Sequence, residues 1–551
     1  MPQKVELTDS LKRAIGKRFV LGYHGTSPKL DDPESEGIKT LLEAPYYLGN
    51  VILMKRNVKG KDEVREMIRY LQKHASEAQG EEAKPLLIGT DQEGGLVSAF
   101  TVPPGRGQEA VTQFPGAMPL GRIKDDVKYE ISALEMTRKT YEASGKELAM
   151  LGVNWVYAPV GDVNTDKKNP VIGVRSFGEG PEEVAKHVEK ACEGLRSAGI
   201  APCVKHFPGH GDCSVDSHLG MPVIKKGMDE LAKGELVPFE RVSSWEGVTM
   251  MTGHMAMPEV TGKMYEPCSL SREVTTRLLR EKMGFKGLVV TDCLEMDAIA
   301  RTQASEKEKE GGWGGGCGIE EGAVRAIEAG ADVVMICHTF RKQVGAIEKV
   351  WQAVEDGRIT VDELMTGAER VDKLKDWLGL TWTNVMNEDE DWQSRWSQLK
   401  IENAAVAKEG YKRSILVKDG FTRMDKNIPT TLYTPANESI NLAVDDAEGV
   451  LRTKDGKIRN TAGASFLAMA EALPWCKHVV YRDEVEVQEG QAIFVFRNGD
   501  TAKWQQDALA RVKAKSSRVV IVSTGTPYEE EYDLASCESS AVALTELATR
   551  I

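Results

Sequence analysis

Eight short apolar runs recur along the first two-thirds of the chain, and longer stretches with helical spacing lie between them. The runs are Arg18–His24, Tyr47–Met54, Lys84–Asp91, Val153–Pro159, Ala201–Val204, Gly247–Gly253, Gly287–Asp292 and Ala331–Cys337. Between them, Asp62–Ala78 carries Val64, Met67, Ile68 and Leu71 on one helical face, and Pro181–Ser197 has proline at its start and Gly199 just past its end. Strands this apolar cannot leave one face in water, so they belong to a parallel sheet covered by helices. Eight of them favour a closed (β/α)8 TIM-type barrel, which we assign to residues 1–380.

At 551 residues the chain exceeds one barrel of roughly 250 residues, so a second unit is expected. Residues 381–400 read as a linker, with the acidic run Asn387-Glu-Asp-Glu-Asp391 and Trp382, Trp392 and Trp396 to grip the units beside it. Residues 401–551 read as a smaller α/β sandwich built on Ser414–Val417, Thr430–Tyr433, His478–Tyr481, Ala492–Phe496 and Arg518–Ser523, with a helix over Asp500–Ala514. The final run, Ser539–Ile551, is itself helix-like, which is compatible with a polypeptide longer than this one.

A net charge of -13 with no Lys/Arg cluster argues against nucleic acid or anionic membrane as partner and leaves small neutral substrates open. The amino terminus has no apolar core of a signal peptide, and no run of about 18 uncharged apolar residues occurs, so a cytoplasmic protein is expected. Nine cysteines, an odd number set singly in apolar segments such as those around Cys192, Cys203 and Cys337, suggest reduced, packed thiols. The oligomeric state is not legible.

Ionisable chemistry concentrates in residues 204–222, which hold Lys205, His206, His210, Asp212, Asp216 and His218. The fifth apolar run delivers Lys205 and His206 at its end, and Pro208, Gly209 and Gly211 force the residues after them onto a loop. Pro208 and Gly209 also separate His206 from His210, so the two cannot share a helical face as metal ligands, and no metal or cofactor is expected. In Asp216-Ser217-His218 the carboxylate suits an orienting partner for an imidazole acting as general acid and base. Asp292, ending the seventh run, fits either a nucleophile at the barrel mouth or a helix N-cap. Asp91, before Gly94-Gly95, fits either a hydrogen-bond acceptor for ligand hydroxyls or a turn-stabilising side chain. Arg175 alone would pass for a surface residue.

Taken together, Lys205-His-Phe-Pro-Gly-His-Gly-Asp212, Asp216-Ser-His218, Asp91-Gln-Glu-Gly-Gly95, Arg175-Ser-Phe177 and Thr291-Asp-Cys-Leu-Glu-Met296 resemble glycoside hydrolase family 3. The Asp-Ser-His triplet resembles the β-N-acetylglucosaminidase branch of that family. The resemblance runs through the barrel and more faintly into the second unit, at Ala404–Val417. It implies that Asp292 is the nucleophile, that His218 is the acid/base supported by Asp216, and that Asp91, Arg175, Lys205 and His206 bind sugar hydroxyls. It further implies retaining double displacement on terminal N-acetylglucosamine; because His218 rides on a Pro/Gly-flanked loop, that loop is expected to close over bound sugar. A phosphorylase or a β-glucosidase is the alternative in the same site. The natural substrate, whether a chitin or peptidoglycan fragment or a glycoconjugate, stays open. The sequence departs from many relatives in having Leu96 and Ala99 after the glycine pair and Cys293 after Asp292.

Overall fold

The computed structural model describes residues 5–551 except 81, 102–109, 214–220, 304–305, 307–308, 310–313, 388, 418–420, 437–463, 483, 498, 500–501, 526–527, 529–533 and 536–539. Each apolar run becomes a strand: β1 (Phe19–Leu21), β2 (Asn50–Ile52), β3 (Leu87–Thr90), β4 (Trp155–Val156), β5 (Ala201–Phe207), β6 (Thr249–Thr252), β7 (Val289–Cys293) and β8 (Val333–Ile336). They close into a barrel in sequence order, β8 returning to β1, and all neighbours are parallel. The expected fold class is therefore the observed one.

Alternation along each strand builds two cores from one sheet. Val20, Ile52, Leu87, Trp155, Val290 and Val333 fill the interior, while Phe19, Leu21, Val51, Ile88, Val156 and Val334 pack outward against the helices. Full burial of such side chains stabilises the fold by roughly 1.5–3 kcal/mol each.

The amino-terminal ends of the strands are sealed. Helix Val361–Trp377 lays Val371, Leu374 and Trp377 against the interior cluster. Beside it, the buried Arg18 guanidinium donates to the carbonyls of Asp332, Ala331 (2.6 Å), Glu363 (3.1 Å) and Leu364 (3.0 Å). Asp332 pairs with Arg280 and with Arg370 (2.9 Å), and accepts the Val289 N–H at 2.8 Å. The helix passes so close that a Cβ on Gly367 would sit 2.3 Å from Arg18 Cζ, leaving room only for glycine.

The stretch read as a linker is helical at Trp382–Met386 and again from Trp392, in a helix that runs on to Ser414. Its tryptophans hold the barrel. Trp392 and Trp396 are buried in the outer core, their rings stacked at 5.5 Å. Trp392 Nε1 donates to Met150 O (3.1 Å) and Trp382 Nε1 to Ala83 O (2.7 Å).

The second unit is a six-stranded sheet of β9 (Leu416–Val417), β10 (Thr430–Pro435), β11 (Lys477–Tyr481), β12 (Gly490–Phe496), β13 (Ser516–Ser523) and β14 (Leu534–Ala535), in the order β9-β14-β13-β12-β10-β11. Only β9 runs antiparallel to its neighbour. One face carries Leu432, Ile493 and Val520 under helices Ala464–Ala472 and Ala541–Ala548; the other carries Tyr433, Phe494 and Ile521 under helix Lys503–Lys513. The two-residue β14 was not among the expected strands. Tyr528 of this unit reaches the barrel, its hydroxyl donating to Glu179 and accepting from Asn164 Nδ2 at 2.9 Å. Among the described residues no helix is long and apolar enough to cross a membrane.

Candidate active site

β5 does not stop at Val204, as its sequence suggests, but runs through Phe207, so Lys205 and His206 are strand residues pointing into the mouth of the barrel. The strand tolerates them because each finds buried polar partners. Lys205 Nζ lies 2.7 Å from Asp91 Oδ1 and 2.7 Å from Glu93 Oε1, with its side chain 3% exposed. Arg175, on a single 3-10 turn (Gly173–Arg175), makes a two-pronged contact with Glu93, Nε to Oε2 at 2.9 Å and Nη2 to Oε1 at 2.8 Å. Such fork-to-carboxylate pairs are among the strongest hydrogen bonds a side chain makes.

Glu93 reaches this position from a small hairpin after β3, Gln92–Gly94 against Val97–Ser98. Gly94 and Gly95 take φ of +90° and +60°, and a Cβ on Gly94 would meet Pro115 O at 2.8 Å, so the glycine pair is what lets the hairpin fold back. Burial alone would raise the Glu93 pKa; the adjacent Arg175 and Lys205 charges outweigh it and hold the carboxyl at about 2. Burial works against the Lys205 ammonium in the same way, yet Asp91 and Glu93 keep it above the ordinary lysine range. Asp91, 31% exposed, is the most exposed member of this group.

A second chain of contacts leads to Asp292. Asp162, fully buried, places Oδ2 2.7 Å from His206 Nδ1, while its Oδ1 accepts from the N–H groups of His206 (3.1 Å) and His210 (2.7 Å). Burial resists the Asp162 charge, but His206 and His210 bring its carboxyl below the usual range. With Nδ1 taken, His206 turns Nε2 toward Asp292 Oδ2 at 3.9 Å, and toward Arg175 Nη2 at 3.4 Å. Asp292 lies inside β7 rather than at a helix start; the following helix, Asp297–Ala300, begins after Met296. The N-cap reading of Asp292 is thereby excluded. Burial would raise its pKa, but His206, His254 and the Cys293 N–H, which donates to Oδ1 at 2.7 Å, bring it to about 2. His254, just past β6, contacts Ser269 Oγ through Nδ1 (2.7 Å) and the Cys293 carbonyl through Nε2 (3.0 Å), gripping the main chain one residue past Asp292.

Asp91, Arg175, Lys205, His206 and Asp292 thus converge on one mouth. Asp216 and His218 lie outside the described residues. His210 is buried with its carbonyl held by Asn169 Nδ2 (2.9 Å), and burial together with His206 lowers its pKa to about 4, which keeps it neutral at neutral pH. Glu93, Asp162 and His254 were not singled out from sequence, although each sits within six residues past a barrel strand, the zone where function is expected. Glu295 is structural: it accepts from the N–H groups of Cys337 (2.9 Å), His338 (2.6 Å) and Thr339 (2.9 Å). Cys337, read as a solitary packed thiol, instead lies beside Cys293. An ionised carboxylate facing a pocket of fixed donors and acceptors suits attack on a neutral, hydroxyl-rich ligand.

Residues 30–374 match the model of the glycosyl hydrolase family 3 N terminal domain. The chain is 29% identical over 398 residues to a β-hexosaminidase A of Pseudoalteromonas piscicida, covering 68% of this chain and 62% of that relative. It is 32% identical over 291 residues to a β-hexosaminidase of Thiobacillus denitrificans, covering 53% of this chain and 72% of the relative. Among solved structures, a family 3 β-N-acetylglucosaminidase from Paenibacillus superposes with a TM-score of 0.77 at 27% identity, covering 98% of this chain and 96% of that one. A fungal multi-domain family 3 β-N-acetylglucosaminidase superposes with a TM-score of 0.81 at 29% identity over 98% of this chain, which spans 59% of the fungal one.

Proposed function

The chain belongs to glycosyl hydrolase family 3, and from that premise we propose that it is a retaining β-N-acetylglucosaminidase releasing terminal N-acetylglucosamine from small glycosides. The observation that carries this reading is Asp292 at the carboxyl end of β7, held ionised and facing the Asp91, Arg175, Lys205 and His206 group. In the reaction, the Asp292 carboxylate attacks the anomeric carbon while protonated His218, oriented by Asp216, gives its proton to the departing oxygen. The resulting glycosyl ester is hydrolysed when neutral His218 draws a proton from water, which restores both side chains. Asp91, Arg175, Lys205 and His206 hold the sugar hydroxyls, with Glu93 and Asp162 fixing the last three in place.

Incubation with a fluorinated N-acetylglucosaminide that slows the second step, followed by peptide mass spectrometry, tests the reading directly. A sugar adduct on the Asp292 peptide is expected, together with product of retained configuration by proton NMR. No adduct, or an inverted product, would reject it. Because the proposed acid/base is an imidazole, which repels phosphate less than a carboxylate does, the same assay is run with inorganic phosphate; formation of sugar 1-phosphate would make the enzyme a phosphorylase.

A further inference from the structure

Among the described residues one group of side chains has the make-up of a soft-metal site, and no step of the proposed reaction uses it. Cys293 at the end of β7, with Cys337 and His338 just past β8, offers two sulfurs and a ring nitrogen all within 4.8 Å of one another. A tetrahedral zinc with Zn–S bonds of about 2.3 Å spaces two thiolates about 3.8 Å apart, so the group need contract by only roughly an ångström. Access is graded: Cys337 is buried, Cys293 half-buried and His338 exposed, so an ion can enter from the mouth.

The main chain of the pair is already pinned. Glu295 accepts from the Cys337 and His338 N–H groups, and Arg56 Nη2 donates to the Cys337 carbonyl at 2.5 Å. Arg56 Nη1 also lies 3.0 Å from His338 Nδ1. Arg56 keeps its bonds to the Cys337 and Tyr23 carbonyls (2.9 Å for the latter) if that imidazole turns toward an ion. Two thiolates neutralise a divalent cation, and binding releases two thiol protons to solvent.

We propose that Cys293, Cys337 and His338 bind a zinc-class divalent cation, and that the bound ion switches the enzyme off. Inhibition is a matter of position. Cys293 N–H holds Asp292 Oδ1 and the Cys293 carbonyl meets His254, so drawing the Cys293 side chain toward an ion shifts the peptide that aims Asp292. The inhibitory half of this inference rests on Asp292 being the nucleophile; the binding half does not.

The test titrates the reduced full chain with Co2+ and then Zn2+. One equivalent of Co2+ is expected to give the near-ultraviolet absorption of cobalt–thiolate charge transfer, which Zn2+ then abolishes. Zinc is also expected to inhibit N-acetylglucosaminide hydrolysis over the same concentrations. Cys337→Ser should lose most of the absorption. His338→Ala, an exposed position that cannot upset the core, should weaken Co2+ binding by at least about 10-fold and relieve zinc inhibition in parallel, with metal-free turnover unchanged. Cobalt binding without thiolate absorption, or the same absorption and zinc sensitivity in both variants, would overturn the inference. Thiolate binding with no loss of turnover would overturn the inhibitory half alone. If the chain showed no glycosidase activity at all, the cobalt spectrum would still decide the metal site.

Discussion

The two ends of the barrel each hold a buried ion network, and the networks differ in what they leave unfinished. At the floor, Arg18, Arg280 and Arg370 surround Asp332, and their bonds run to one another and to main chain. At the mouth, Glu93 is likewise locked between Arg175 and Lys205. Each network has one member 31% exposed, but at the floor it is the cation Arg370, already paired with Asp332, whereas at the mouth it is the carboxylate Asp91, in a group whose His206 faces a further ionised carboxylate, Asp292. Burial of charge therefore does not by itself mark a site; a network whose open end faces a further ionised group is the stronger candidate.

The comparison can be broken at several points. The largest effect is expected at the mouth: Asp292→Asn should lower turnover by at least about 10⁴-fold while the unfolding transition in urea stays in place. Activity within tenfold of the parent would remove Asp292 from the mechanism. Next, Glu93→Gln and Asp332→Asn should each destabilise the fold by about 3–5 kcal/mol, since each leaves buried cations without their counter-charge. Only Glu93→Gln should also raise KM, because it loosens Arg175 and Lys205; equal KM values in the two variants would erase the distinction between mouth and floor.

pH sharpens the same contrast. Glu93 sits at about 2 when folded against about 4.3 in an unfolded chain, so its stabilisation is complete above about pH 4.3 and is lost as pH falls through about 2. Urea unfolding from pH 5 down to pH 2 should show the gap between parent and Glu93→Gln narrowing; a constant gap would contradict the ion pairing. The smallest effect is expected where the second unit touches the barrel: Tyr528→Phe removes the bonds to Glu179 and Asn164 and should destabilise by about 1 kcal/mol in the same assay.

The barrel was legible because its strands are buried on both faces and leave a continuous apolar trace. Lys205 and His206 read as lying one step outside their strand because a charge within a strand looks like its end until the counter-charges on Asp91, Glu93 and Asp162 are visible, and those come from distant segments. The same non-locality hid Glu93, Asp162 and His254, whose roles lie in whom they touch. Helix Trp392–Ser414 was obscured at its start by the acidic run before it, although Trp392 and Trp396 already had helical spacing. β14, at two residues, is too short to carry an alternation signal.

The sealed floor makes the mouth of the barrel a cul-de-sac. Under the proposed reaction, a glycan can enter only tip first, and the freed monosaccharide has to back out through the doorway by which the next chain end arrives. Product and substrate then contend for a single entrance, so accumulated N-acetylglucosamine should act as a competitive brake on turnover.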